Sequence, residues 1–521
     1  MQKTYINVLL LVIVSILTFA NTLRNPFMWD DAGLVELISQ QDYQNHLKNP
    51  LFFLTPSYWK NYRKFHDVDA YVPVAPMRTL ALSIDYRIWK WKPFGYHLTN
   101  LLFHTLNVLL VYFLVRILVS SLHYTLHITH YTAFFTALLF ATHPMHTESV
   151  AWIKNRIDLI TAVFYLSSLI LFVKHTKQTR NLKRGTDAEQ NTELTQNRPF
   201  LISKYLISNL YPLFSLFCFI LALLSKEIAV TLPAVLVLYI ICFVPQENKK
   251  KRIISTLPFW LLTFLYIYLA QFVVKPGLKL PLMAKIDLYS NILLVFKTLA
   301  WYLKLLVSPF SFNADRVITI PKLLFEPTSL ISLFVVGGLG FAAVKVFNYS
   351  KELSFCLFWF FVTILPVLNI IYLAPRPLAE QRLYIPSIGF CFLLGKLFAD
   401  GLLKKKNSEK KILLILSEVV LLLLIFAYSF ATVMRNFDWR NEIVFWQKTA
   451  EKSPLSPRAK TNLAEAYIKQ NEHDKAQQIF EDVLKNYPDY PPAHTGLGLL
   501  FFNSGDIEKA VKEFQKAGLV E

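Results

Sequence analysis

The chain has 521 residues, of which 54% are hydrophobic, 15% aromatic and only 17% charged, with a mean hydropathy of +0.39. A soluble globule of this length needs more charge, so the composition excludes one and gives a polytopic membrane protein. The formal net charge of +19 raises nucleic acid as a partner. The lysines and arginines lie in short runs between apolar segments, however, which is the pattern of topology signals, and no nucleic-acid partner is expected.

The first apolar run, Tyr5 to Ala20, reads as an uncleaved first span rather than a secretory signal, because only Lys3 makes a basic leader and similar segments follow. Crossing about 30 Å of hydrocarbon takes about 20 residues. About eleven such runs are predicted: 4–22, 98–118, 131–147, 158–174, 205–224, 228–245, 254–274, 329–346, 353–371, 385–400 and 412–433. Two further stretches mix apolar residues with charge, 75–90 (Arg78, Asp85, Arg87) and 288–307 (Lys297, Lys304), and are predicted to lie in the interface. Basic loops occur at 174–184, 249–252 and 404–411. If these are cytoplasmic, 23–97, 148–157, 225–227, 275–328, 372–384 and everything after 433 lie outside. The cysteines, Cys218, Cys242, Cys356 and Cys391, show no paired spacing and read as core packing.

All the polar motifs fall on that outer face. Asn25-Pro26-Phe27-Met28-Trp29-Asp30-Asp31 follows the first span, and carboxylates at a membrane surface are costly unless their charge is used. Asp30 and Asp31 are the candidate catalytic pair, the plainer reading being a solvated loop that ends a helix. His97, Asn100, His104 and Asn107 form a polar stripe on the second span, for interhelical hydrogen bonds or substrate contact. The segment His143 to Asp158 caps the third span and opens the fourth. His143, His146 and Glu148 have the chemistry of metal ligands. Their spacing is not His-Glu-x-x-His and Pro144 breaks the register, so hydrogen bonding to a polar substrate or structural capping is expected and no metal is assigned. Lys226, in the tight hairpin Leu224-Ser225-Lys226-Glu227, suits a phosphate or a snorkelling helix end. Arg376 and Arg382 carry forks suited to phosphate oxygens or to lipid headgroups.

Beyond the last span the composition becomes that of a soluble domain. Asn462, Leu463, Ala464, Tyr467, Ala476 and Phe480 are matched 34 residues later by Gly496, Leu497, Gly498, Phe501, Ala510 and Phe514. Trp446 and Pro454 stand 34 residues before Phe480 and Pro488. This is the tetratricopeptide period. Residues 1–434 then form a membrane domain and 435–521 a repeat domain. So short an array is expected to lean on the membrane domain or on a partner.

Taken in order, the motifs are Trp29-Asp30-Asp31; Tyr71-Val72-Pro73-Val74 through Phe94-Gly95-Tyr96-His97-Leu98-Thr99-Asn100; His143-Pro144 through Asp158; Leu224 to Glu227; Glu380-Gln381-Arg382-Leu383-Tyr384-Ile385-Pro386-Ser387; and Arg435-Asn436 with Trp439-Arg440-Asn441-Glu442. With the repeats, they resemble the transmembrane and tetratricopeptide repeat-containing family of C-type glycosyltransferases, from about residue 20 to the end. The resemblance implies an all-α polytopic bundle of the C-type fold with a C-terminal tetratricopeptide α-solenoid. It implies inverting transfer of one sugar, mannose in the animal relatives, from a polyprenyl-phosphate donor to Ser/Thr of an exported protein. The implied partners are membrane lipid, the lipid-linked sugar, and a protein or peptide acceptor held by the repeats. No cofactor is implied beyond that donor, and no divalent metal.

By the same resemblance Asp30 or Asp31 is the base, and Glu148, Arg156 and Asp158 shape the second outer loop of the site. Lys226, Arg376 and Arg382 are the candidates to hold the lipid phosphate; apart from the resemblance, His97, His143, His146, Glu380 and Tyr384 are read as further substrate contacts. Two departures stand out. Gln381 intervenes where the animal proteins place Arg directly after Glu, so the choice of phosphate arginine stays open. The repeat array is short, which favours a bacterial inner-membrane protein with repeats in the periplasm; a eukaryotic one would sit in the endoplasmic reticulum membrane with repeats in the lumen. A silent membrane-anchored scaffold or a lipid transporter is the other class. A scaffold needs no charges gathered on one face, and a transporter needs an ionisable residue near mid-membrane, whereas the clear candidate, Glu418, lies within a third of its span from the inner end, so the enzyme reading stays ahead.

Overall fold

In hydrocarbon every backbone polar group has to be paired within its own segment, which makes an apolar run a helix. The computed structural model describes residues 2–40, 75–122, 124–189, 198–270, 287–368, 376–403 and 411–520, and holds no strand among them. The apolar helices are Gln2–Phe19, Pro93–Val119, Leu126–Thr142, Arg156–Glu189, Arg198–Leu223, Leu232–Phe243, Leu257–Tyr268, Leu288–Val307, Pro327–Val346, Lys351–Ile364, Ser387–Leu403 and Lys411–Asp438. Among the described residues, 6 stretches are long and apolar enough to cross a membrane by length and composition: Thr4–Arg24, Pro93–Leu122, Ile153–Thr179, Leu288–Val307, Pro327–Val346 and Ile415–Asp438. The remaining predicted runs lie on shorter or less uniformly apolar helices. Residues 41–74 of the 23–97 loop, Tyr71 to Val74 among them, and most of the basic 404–411 loop lie outside the described residues.

Two boundaries differ from expectation. The run predicted over 131–147 stops at Thr142, and His143 turns extended (ψ 122) before a 3-10 turn at Pro144–His146. The residue before a proline is driven out of the helical region, which ends the helix there. Leu288–Val307, predicted to lie in the interface on account of its lysines, is as long and apolar as a span. Its Lys297 ammonium donates to Thr319 O and Oγ1 at 2.9 and 2.8 Å, so its charge is met inside the protein.

Most of the apolar helices share a core around Tyr112, Tyr165, Tyr239 and Trp359, while Leu288–Val307 and Pro327–Val346 pack in a second cluster around Tyr302. Leu126–Thr142 and Ser387–Leu403 come closest at Gly395, where a Cβ would stand 2.4 Å from Thr136 Oγ1 and 2.7 Å from its backbone N. Small residues permit such approaches between membrane helices. Gly395→Ala gains helix propensity of about 1 kcal/mol, but the Thr136 backbone cannot yield, and overpacking costs about 1–3 kcal/mol. A lower thermal midpoint in detergent is therefore expected, and an unchanged or higher one refutes this close approach.

One end of the bundle is tied by buried charge. Tyr124 OH donates to Glu352, and the Lys396 ammonium lies 4.2 Å from the centroid of the Tyr124 ring and 2.5 Å from Asp400. The polar motifs gather at the other end, beneath the repeats. There Lys411–Asp438 is followed by Glu442–Lys452 and by two helix pairs, Pro457–Ile468 with His473–Asn486 and Pro491–Asn503 with Ile507–Lys516. A Cβ at Gly496 would fall 2.2 Å from Phe480 Cζ, so a glycine lets the two helices meet there. The repeat unit leans on the membrane part through one apolar cluster that joins Met28, Ala151, Trp152 and Ala314 to Trp439, Phe445, Trp446 and Ala459.

Candidate functional site

The first span ends in a 3-10 turn, Ala20–Arg24, and an extended Asn25 leads into the Asp30-Asp31 loop. Trp29, just before the pair, has φ +54, a conformation that costs a bulky residue about 1–3 kcal/mol unless its surroundings impose it. They do. Its N–H donates to Glu442 Oε1 at 2.5 Å. Its ring stacks on Trp152 (centroids 4.4 Å apart, 7° between planes) and meets the edge of Trp446 at 4.7 Å. The Arg376 guanidinium lies 5.8 Å from the centroid of the Trp29 ring.

The two aspartates differ in kind. Asp31 opens the helix Asp31–Ser39 and is wholly buried. Its Oδ2 accepts from Met28 N at 3.2 Å and its Oδ1 from Lys154 N at 2.9 Å, joining the loop after the first apolar helix to the 143–158 segment. Burial pushes its carboxyl up to about 7, against the pull of those two amides. The side chain of Asp30 is 36% exposed and pairs with the Lys154 ammonium, which also lies 5.6 Å from the centroid of the Trp152 ring.

The segment between Leu126–Thr142 and Arg156–Glu189 is a chain of short turns: Pro144–His146, Thr147–Ala151 and Ile153–Asn155. It buries Glu148 against Arg376, whose NH2 donates to Oε1 at 2.9 Å. Gln381 N donates to Oε2 at 3.3 Å, and with its side-chain nitrogen turned to Glu148 the Gln381 amide adds donations at 3.0 and 2.6 Å. Arg376 also donates to Ala314 O. Glu380 Oε1 accepts from Asn313 N at 2.6 Å, and its Oε2 lies 3.7 Å from Arg435. Burial raises the Glu380 carboxyl above the usual carboxylate range, and Arg435 opposes the shift.

The other predicted residues have partners within the bundle. Arg156, fully buried, pairs with Asp85 at 2.6 Å and donates to Asn100 Oδ1 and Tyr96 O at 2.7 and 2.8 Å. Lys226 pairs with buried Asp158 at 2.6 Å. Arg382 donates to the carbonyls of Pro377 and Val367 at 2.8 and 3.3 Å. His97 meets Pro26 O at 3.4 Å, His143 meets Leu306 O at 3.3 Å, and His146 meets Ser387 Oγ at 2.9 Å. Tyr384 OH joins His104 Nδ1 and Asn107 Nδ2 at 2.8 and 3.3 Å. Among the described residues no group of three or more His, Cys, Asp or Glu could hold a metal ion.

The fold thus brings Asp30, Asp31, Glu148 and Arg376 together around Trp29 and Trp152, with Glu380 on the same side. Sequence reasoning missed Lys154, Trp29, Trp152, Gln381 and Glu442. Lys154 had a visible signal, as a cation inside the 148–157 outer segment. Glu442 had only its place in the Trp439 to Glu442 motif. Asp85 and Asn100 escaped as partners of Arg156 because nothing local marks a pairing between distant helices.

A tetratricopeptide repeat family model matches residues 446–500. Over 97% of its length the chain is 24% identical to protein O-mannosyl-transferase TMTC3 of Homo sapiens, covering 54% of that protein. It is 22% identical to protein O-mannosyl-transferase Tmtc3 of Drosophila melanogaster over 99% of the chain and 59% of the relative. Protein O-mannosyl-transferase TMTC4 of Homo sapiens is 24% identical over 86% of the chain and 62% of the relative. The chain therefore spans little more than half the length of the curated relatives it matches, and no solved structure matches it. The chain is thus similar over most of its length to the TMTC protein O-mannosyl-transferases and carries tetratricopeptide repeats after its apolar helices.

Proposed function

We propose that the chain is a membrane glycosyltransferase that moves one mannose from a polyprenyl-phosphate donor to a Ser/Thr hydroxyl of an exported protein. The names of its relatives support the activity. The observation that carries the site is Asp30, open to solvent beneath the repeats and joined across Trp29 to Glu148 and Arg376. In this reading the end of the bundle that carries the repeats faces the periplasm or lumen, with the basic loops on the cytoplasmic side.

Asp30 is the base in this reading. Burial pushes the Asp31 carboxyl up to about 7, but geometry comes before pKa, and both Asp31 oxygens are taken by backbone amides in a buried turn. As the acceptor oxygen attacks the anomeric carbon, its proton passes to Asp30, and the bond to the phosphate oxygen breaks on the opposite face. The product is inverted, and polyprenyl phosphate leaves without needing a general acid. Positive charge spreads over the sugar ring while negative charge gathers on the phosphate. Lys154 pairs with Asp30, and Arg376 lies against the ring of Trp29 beside it. Lys226 and Arg382 would have to exchange Asp158 and the Pro377 and Val367 carbonyls for phosphate. The apolar bundle would hold the prenyl chain and bring donor and acceptor together at the interface.

Purified protein incubated with polyprenyl-phosphate mannose and Ser/Thr peptides is expected to add one hexose to the peptide, read by mass. No transfer across a panel of polyprenyl-phosphate sugars and acceptors would leave the scaffold reading, in which the gathered charges are structural.

A further inference from the structure

We propose that Glu442, the first residue of the first repeat helix, is a positioning residue for Asp30: by holding the amide of Trp29 it fixes the backbone turn that aims the Asp30 carboxylate, and so makes transfer depend on the repeat unit. The inference rests on the transferase reading above. Glu442 does not touch Asp30; it acts one residue upstream.

Four observations converge on Trp29. Its N–H donates to Glu442 Oε1 at 2.5 Å. Its φ of +54 is one that side-chain-bearing residues rarely adopt, so relaxing that angle swings the chain that follows, beginning with Asp30. Its ring meets the edge of Trp446, four residues beyond Glu442. Residues at that spacing share a helix face, so one face of Glu442–Lys452 grips both the amide and the ring. Glu442 is itself held: Lys469 Nζ reaches both its oxygens at 2.9 and 2.8 Å from just beyond the helix Pro457–Ile468. Asn441 Oδ1 caps the Glu442 helix by accepting from Ile443 N and Val444 N at 2.8 and 3.2 Å. The line from the second repeat helix through Lys469, Glu442 and Trp29 to Asp30 is unbroken.

The test uses the full chain in detergent or nanodiscs, with Glu442→Ala and Glu442→Gln. Gln keeps an oxygen for the Trp29 amide, whereas Ala removes it. Two readouts are taken: steady-state transfer from polyprenyl-phosphate mannose to a peptide, and hydrogen–deuterium exchange over residues 27–31. Glu442→Ala is expected to lower kcat about 10- to 100-fold, the scale of a misplaced catalytic group, with the donor KM nearly unchanged. Exchange at the Trp29 amide should rise about tenfold or more, and Glu442→Gln should recover most of both. Parent-like kcat or parent-like exchange in Glu442→Ala overturns the proposal. So does a loss confined to the acceptor KM, which would make Glu442 an acceptor contact. Should Glu442→Ala not fold, Lys469→Ala, which loosens the carboxylate without removing it, is expected to give a smaller loss of kcat in the same direction; parent rates there overturn the proposal. If the parent protein transfers no sugar, the transferase reading fails by itself. The exchange measurement then still judges the hold on Trp29, and unchanged exchange overturns it.

Discussion

Asp30→Asn is expected to lower transfer about 10²–10⁴-fold, the range for loss of a positioned general base, while the protein keeps its thermal midpoint. The amide cannot take the acceptor proton. Little stability should go with the charge, because Asp30 and Lys154 both have solvent-facing side chains and such pairs contribute roughly 0–1 kcal/mol. Asp31→Asn is expected to behave differently. One of its oxygens becomes an NH2 that faces the Met28 or Lys154 amide, donor against donor, in a turn with no exposure. A buried unmet group of this kind costs about 1–3 kcal/mol, so activity and midpoint should fall together. Measuring transfer and melting on the same preparations separates the two. Full transfer by Asp30→Asn would remove it as the base, and a parent-like midpoint for Asp31→Asn would contradict its place in the turn.

Arg156→Ala is expected to have the largest effect on stability, about 3–5 kcal/mol, as when one partner of a buried pair is deleted. The guanidinium is fully buried and answers Asp85, Asn100 and Tyr96 at once, tying its own helix to Pro76–Trp89 and Pro93–Val119. Removing it strands the Asp85 carboxylate, which burial raises above the usual carboxylate range and Arg156 draws back. Replacing both partners with apolar residues, Arg156→Met with Asp85→Leu, should recover part of the loss, since no lone charge remains. Melting of the single and double variants checks this. A parent-like midpoint with loss of transfer in Arg156→Ala would return the residue to substrate contact.

The residues most plainly readable in the sequence behave unevenly in the structure for one reason. Arg156, Asp158 and Lys226 stood out as charges at span ends, and they are charges that meet each other or Asp85 within the bundle. Arg376 stood out in the same way and does reach the aspartate loop. A charge near a span boundary announces that something must satisfy it, and local sequence does not say whether the partner is protein or substrate. Gln381, noted only as an interruption of a motif, turns out to bracket Glu148 with its backbone and side chain.

By itself the sequence determined the all-helical membrane part, the 34-residue repeat after it, and the gathering of polar motifs at one end. Hydrophobic run length, repeat period and charge bias are local properties of the chain, readable without partners. Only the tertiary structure decided which of two adjacent aspartates is buried, which arginine stands by them, and that the repeats rest directly on their loop. Those outcomes depend on meetings such as Trp29 with Glu442, 413 residues apart, and Glu148 with Arg376, 228 apart. A carboxylate's role follows from its partners and its exposure, and neither exists until the distant segments have packed.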